Sequence, residues 1–131
     1  MLKKTVLALC LAASSFAQAA VVVIANPAAA DLDASTIKKV YLGKAKSLNI
    51  DAIDLDDGQP LKSEFHAKVT GKTEAQLQAY WAKKVFTGKG QPPKAVSSSA
   101  IVKNTVASTA NAIGYIDESE VDGSVKVILR P

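Results

Sequence analysis

The chain holds one histidine, His66, and one cysteine, Cys10. A zinc site or a catalytic triad draws on more such groups than these. Cys10 lies inside an apolar run near the N-terminus, and Leu9 precedes it where a lipoprotein site would want a small residue. His66 stands between Phe65 and Ala67 on a helical stretch, where a surface or half-buried imidazole is the ordinary expectation. The hydroxyls of Ser97, Ser98 and Ser99 fall at a helix start, where such groups cap free amides. No nucleophile is spaced against a base. The residues therefore argue against an enzyme, and they point to no cofactor and no metal.

Two further constellations fail on spacing. Gly71-Lys72-Thr73 resembles the tail of a phosphate-binding P-loop, but His66 occupies the position of the leading glycine and the context is helix to helix. The acidic turn from Asp54 to Gly58 has the flavour of a calcium loop, but the alternation of acids breaks at Gly58. Gly43-Lys44, Gly71-Lys72 and Gly88-Lys89 each follow a helical pattern. They read as left-handed glycine stops, each with a cation near the negative end of the helix dipole.

The elements that would position these residues alternate. Ala20 to Ala25 is a continuous β-branched run ending at Asn26-Pro27, as in a strand covered on both faces. Asp33 caps a helix carrying Ile37, Val40 and Tyr41, and Gly43 ends it. Leu48 to Leu55 reads as a second strand. Pro60 opens a helix with Leu61 and Phe65 on its apolar face. Thr73 and Gln76 form a capping box for a third helix, whose Tyr80 and Trp81 read as core. An irregular loop follows from Gly88 to Pro93, and Ser97 to Thr109 is a further helix. The segments 112–116 and 125–129 read as strands, with a turn at Asp122-Gly123. The early alternation argues for parallel strands with helices packed on them.

Residues 1–19 read as a cleaved signal peptide: Lys3 and Lys4, a short apolar stretch, then Ala17-Gln18-Ala19. Residues 20–131 would then form one domain without cysteine. Its balance is 14 basic against 12 acidic residues, once Lys3 and Lys4 are removed. That mild charge, with no basic run interleaved with aromatics, argues against nucleic acid. No later segment is long and apolar enough to span a bilayer.

Read together, VYLGKAKSL, DDGQPLKSEF, VTGKTEAQLQAYWAKKVFTGKGQPP and NAIGYIDESEVDGSVKVIL resemble small periplasmic proteins related to the phosphate-binding component of ABC transporters, members of the type II periplasmic-binding-protein (PBP-like) superfamily. The resemblance covers nearly all of residues 20–131. It implies an α/β domain, a single lobe of that fold, with a mostly parallel or mixed sheet flanked by helices. It also implies a periplasmic location, an oxyanion such as inorganic phosphate bound at helix N-termini, and an ABC transporter permease or a second copy of the chain as partner. Free amides and the positive end of a helix dipole favour such a ligand.

The turn that matches the family's D-G-S-G-T-T loop keeps Asp57 and Gly58 and replaces the hydroxyl residues with Gln59, Pro60, Leu61 and Lys62. Lys62 offers a cation and Gln59 an amide donor, whereas Pro60 has no N–H. Larger relatives carry an arginine just upstream, where this chain has Asp54-Leu55-Asp56. The expected ligand site comprises Asn26 at the end of the first strand, Asp57, Gly58, Gln59 and Lys62 at the second turn, and Ser97 and Ser98 at the last helix start. The alternative is a periplasmic interaction or accessory protein that keeps the fold without binding a ligand.

Overall fold

The computed structural model describes residues 20–131; the signal-peptide reading of residues 1–19 lies outside the described residues. The strands are β1 (Val21–Ala25), β2 (Asp51–Leu55), β3 (Lys94–Val96), β4 (Ala112–Asp117) and β5 (Lys126–Leu129). The helices are α1 (Ala34–Tyr41), α2 (Pro60–Lys68), α3 (Glu74–Phe86) and α4 (Ser99–Ser108). The strands form one open sheet in the order β3-β2-β4-β1-β5.

The sheet is mixed. β2 runs parallel to β3 and β4, as βαβ connections require. β1 pairs antiparallel with both β4 and β5, so the parallel arrangement expected at the start of the chain is corrected there. All five residues of β1 are buried, because neighbouring strands flank it and helices cover its faces.

Helix boundaries follow local chemistry. Asp33 accepts the Thr36 amide at 2.7 Å and opens α1. Thr73 and Gln76 close the reciprocal capping box at the start of α3. Ser98 accepts the Ile101 amide and opens α4. Gly43, Gly71 and Gly88 stop the preceding helices at φ of +69°, +70° and +70°.

Three local expectations are revised. The second strand begins at Asp51 rather than Leu48, because Lys46–Leu48 forms a 3-10 turn and Asn49 is left-handed at φ 52°. The last helix is Ser99–Ser108, slightly shorter than expected. The short edge strand β3 occupies residues that had no strand signal in the sequence.

The core has two layers. On one face of the sheet, α4 sits so close to β4 that a Cβ on Gly114 would lie 2.4 Å from Val102 Cγ1. On the other face, α1 and α2 pack an aromatic cluster. Phe65 stacks on Tyr115 at 4.0 Å between ring centroids, and Tyr41 meets Phe65 edge-on at 4.7 Å. The outlier is α3, which buries only Leu77; Tyr80 and Trp81 are half-buried rather than core.

Candidate functional site

The carboxyl ends of β2 and β3 lie side by side, because their parallel register pairs Leu55 with Val96. The chain leaves β2 into the Asp56–Gln59 turn and α2, and leaves β3 into Ser97, Ser98 and α4. Two helix N-termini therefore converge at one end of the sheet. Gln59 ties them together, its Nε2 donating to the Ser97 carbonyl at 2.6 Å. Gly58 reaches its turn at φ +87°, and its amide donates to Glu74 Oε1 at 2.9 Å, fastening the start of α3 to the same turn.

A cleft of about 290 Å³ opens beside this turn, lined in part by Asp54, Asp56, Asp57, Lys62, Trp81 and Pro92. Lys62 is 9% exposed and donates from Nζ to Asp57 Oδ1 at 2.8 Å. Asp57 also accepts from Gln78 Nε2 at 3.3 Å. The Lys62 hydrogen bond is the main reason the Asp57 carboxyl sits below its ordinary range.

The floor of the cleft is Asp54, which belongs to a buried polar network. His66 Nε2 lies 3.0 Å from Asp54 Oδ2, and His66 Nδ1 lies 3.0 Å from Thr70 Oγ1. The Tyr115 hydroxyl donates to Asp54 Oδ1, and the Leu55 amide donates to the same oxygen at 2.8 Å. Burial pushes the Asp54 carboxyl up, but the His66 hydrogen bond and charge, the Tyr115 hydroxyl and Lys62 outweigh it and hold it below its ordinary range. Burial and the Asp54 charge push the Tyr41 and Tyr115 phenols up, so both stay protonated and donate.

No family model matches this sequence, and no curated protein matches it either. Solved structures do, two phosphate-transport proteins among them. One is an ABC-type phosphate transport receptor from Vibrio cholerae, similar at 20% identity and a TM-score of 0.62, over 83% of this chain and 45% of that one. The other, from Clostridium perfringens, is assigned as a phosphate ABC transporter substrate-binding protein with bound phosphate. It is similar at 26% identity and a TM-score of 0.61, over 83% of this chain and 44% of that one. This chain has their fold. It spans a little under half the length of either. The α/β architecture implied by the sequence resemblance is thus the observed one.

The expected site residues divide. Asp57, Gly58, Gln59, Lys62, Ser97 and Ser98 all gather at the β2–β3 end of the sheet. Asn26 does not join them. β1 runs antiparallel to β2, so the carboxyl end of β1 pairs with the start of β4, at the opposite end of the sheet. There Asn26 Nδ2 donates to the Val106 and Ala107 carbonyls at 3.3 and 3.1 Å, and its Oδ1 accepts from the Ala28 amide. Ser98 spends its hydroxyl on capping α4.

His66 corrects the expectation of a surface or half-buried imidazole, being 1% exposed. Lys62 and His66 lie four residues apart on α2, and Thr70 stands four further on, just past the C-cap Val69; His66 meets Asp54, and Thr70 meets the other side of the imidazole. That spacing, opposite an aspartate set between the apolar Ile53 and Leu55 of β2, was the available signal. Thr70, His66 and Asp54 have the connectivity of a hydroxyl–imidazole–carboxylate triad. Their exposures of 3%, 1% and 6% leave the Thr70 hydroxyl no path to a substrate, and it also lies 3.1 Å from the His66 carbonyl. The network thus holds Asp54 in place. Trp81 was also missed as a cleft residue, since helical spacing alone reads it as core. Among the described residues no group of three or more His, Cys, Asp or Glu side chains is placed to hold a metal ion.

Proposed function

We propose that this protein is a periplasmic solute-binding module that takes an oxyanion at the carboxyl ends of β2 and β3. One observation carries the reading. Two helix N-termini converge there, bridged by Gln59 and Ser97, with a nine-tenths-buried lysine beside them. Oriented amides and helix dipoles favour negative charge at such a place. Lys62 has three ammonium donors, and Asp57 takes one. Asp54 and Asp57 oppose a fully ionised anion, and they favour one that keeps a proton to share with a carboxylate.

In this reading residues 1–19 direct export and are removed. No helix among the described residues is long and apolar enough to cross a membrane. The fold likeness to phosphate-transport proteins supports delivery to an ABC transporter permease as the role. The open cleft implies modest affinity unless a second chain closes over it. The large exposed apolar side chains, Leu48, Val85, Phe86 and Ile101, are spread over three elements. That is ordinary surface scatter, and it adds no weight to an interaction module without a ligand.

Calorimetric titration of the purified protein with inorganic phosphate at low salt, with sulfate as control, tests the proposal. Saturable heat with phosphate and none with sulfate is the expected result. Absence of heat up to millimolar concentrations of both anions would remove these inorganic anions as its ligands.

A further inference from the structure

Bare phosphate is a poor match for the rest of the cleft. Four oxygens around one phosphorus fill little of about 290 Å³, a volume close to the lower end of small-molecule sites. Much of the wall is apolar, formed by Leu77, Trp81, Pro92 and Pro93. A hydrated inorganic anion gains nothing from such a surface and loses water against it. An organic portion would gain from it.

The charges around the cleft are also uneven. Asp54 is countered by His66, and Asp57 by Lys62. Asp56 lines the same cleft, its side chain exposed, and no ion pair among the described residues engages it. Its amide is held by the Val96 carbonyl at 3.0 Å, which fixes the backbone from which the carboxylate projects. That carboxylate repels a bare anion and attracts an ammonium group.

We propose that the cleft takes a zwitterionic organic oxyanion, an amine-bearing phosphate monoester or phosphonate, with its phosphoryl group at Lys62 and the α2 turn, its carbon chain against Trp81 and its ammonium at Asp56. This inference rests on the oxyanion reading above and extends it to the class of ligand. Lys62 supplies the two donors that Asp57 leaves unspent, from a side chain too buried to swing freely in solvent.

The test is a titration series on the purified protein with inorganic phosphate, ethyl phosphate, O-phosphoethanolamine and ethanolamine. O-Phosphoethanolamine should bind roughly tenfold more tightly than inorganic phosphate, from a buried two-carbon chain and one half-exposed ion pair, with ethyl phosphate between them. Asp56→Asn, an exposed change that leaves the fold alone, should bring O-phosphoethanolamine down to the ethyl phosphate level and leave ethyl phosphate unmoved. Equal affinity for inorganic phosphate and O-phosphoethanolamine would overturn this inference while the oxyanion reading stood. Equal affinity for ethyl phosphate and O-phosphoethanolamine, or no effect of Asp56→Asn, would overturn the ammonium assignment. No binding by any of the three phosphates would bring down the oxyanion reading, and the inference with it.

Discussion

Asp54 is the buried charge on which the end of the sheet depends, and replacing it gives the sharpest test of the network. The carboxylate accepts from His66, from the Tyr115 hydroxyl and from the Leu55 amide. In Asp54→Leu the His66 ring and the Tyr115 phenol lose their shared acceptor. The phenol also lies 3.1 Å from the Leu55 amide and can only accept from it. Two buried donors are then stranded, at about 1–3 kcal/mol each. The loss expected is about 3–5 kcal/mol, the range for breaking a buried pair by removing one partner. That is a large share of the ~5–15 kcal/mol typical of a domain.

Asp54→Asn should cost much less, about 1–2 kcal/mol. Its carbonyl oxygen still accepts from Tyr115 and Leu55, and its amide donates to His66 Nε2 once the ring carries its proton on Nδ1 and donates from there to the Thr70 hydroxyl oxygen. The Thr70 hydroxyl then turns to the His66 carbonyl, 3.1 Å away. Urea unfolding of the three proteins at neutral pH reads both numbers. A pH series adds a second readout. The Asp54 carboxyl is held below its ordinary range in the folded state, so its contribution is fully present above the unfolded-state value near 3.9. The contribution is lost as pH falls through the lower folded value. Wild-type stability should therefore drop in acid more steeply than that of Asp54→Asn. Equal destabilisation by Asn and Leu, or parallel acid limbs for wild type and Asn, would refute the account.

Three other outcomes follow from the same geometry. Lys62→Ala should abolish anion binding in calorimetry while costing only about 1 kcal/mol in urea, since its partner Asp57 is largely exposed; unchanged affinity would remove Lys62 from the site. Gly114→Ala should destabilise by about 1–3 kcal/mol, because the new methyl meets Val102 at 2.4 Å and α4 must lift from the sheet; an unchanged urea midpoint would show that this contact relaxes freely. Phe86→Ser should leave stability within about 0.5 kcal/mol, since the ring is 92% exposed; a larger loss would mean that the end of α3 packs against something in solution.

Features carried within a few residues were legible in the sequence. The Asp33 and Ser98 caps, the Thr73–Gln76 box and the left-handed glycines at 43, 71 and 88 all act across one helical turn, and residue type alone announces them. The apolar run of β1 announced a strand covered on both faces. The turn from Asp57 to Lys62 was recognisable by its composition, and so was the helix start at Ser98.

What joins those pieces is non-local, and only the tertiary structure decided it. The direction of β1 is set by partners about 90 to 100 residues away in β4 and β5, and no motif within β1 encodes it. That pairing carries Asn26 to the far end of the sheet from Lys62. The same holds for His66. Its helix position is compatible with solvent until Asp54, twelve residues earlier in the chain, comes to face it across the sheet–helix interface. Trp81 became a cleft wall for a similar reason, because α3 buries little beyond Leu77 and leaves the indole beside Pro92 and Pro93. Local sequence specifies caps and periods because backbone hydrogen bonding there spans three or four residues; pairing, burial and the balance of charge around a cleft depend on which distant surfaces meet.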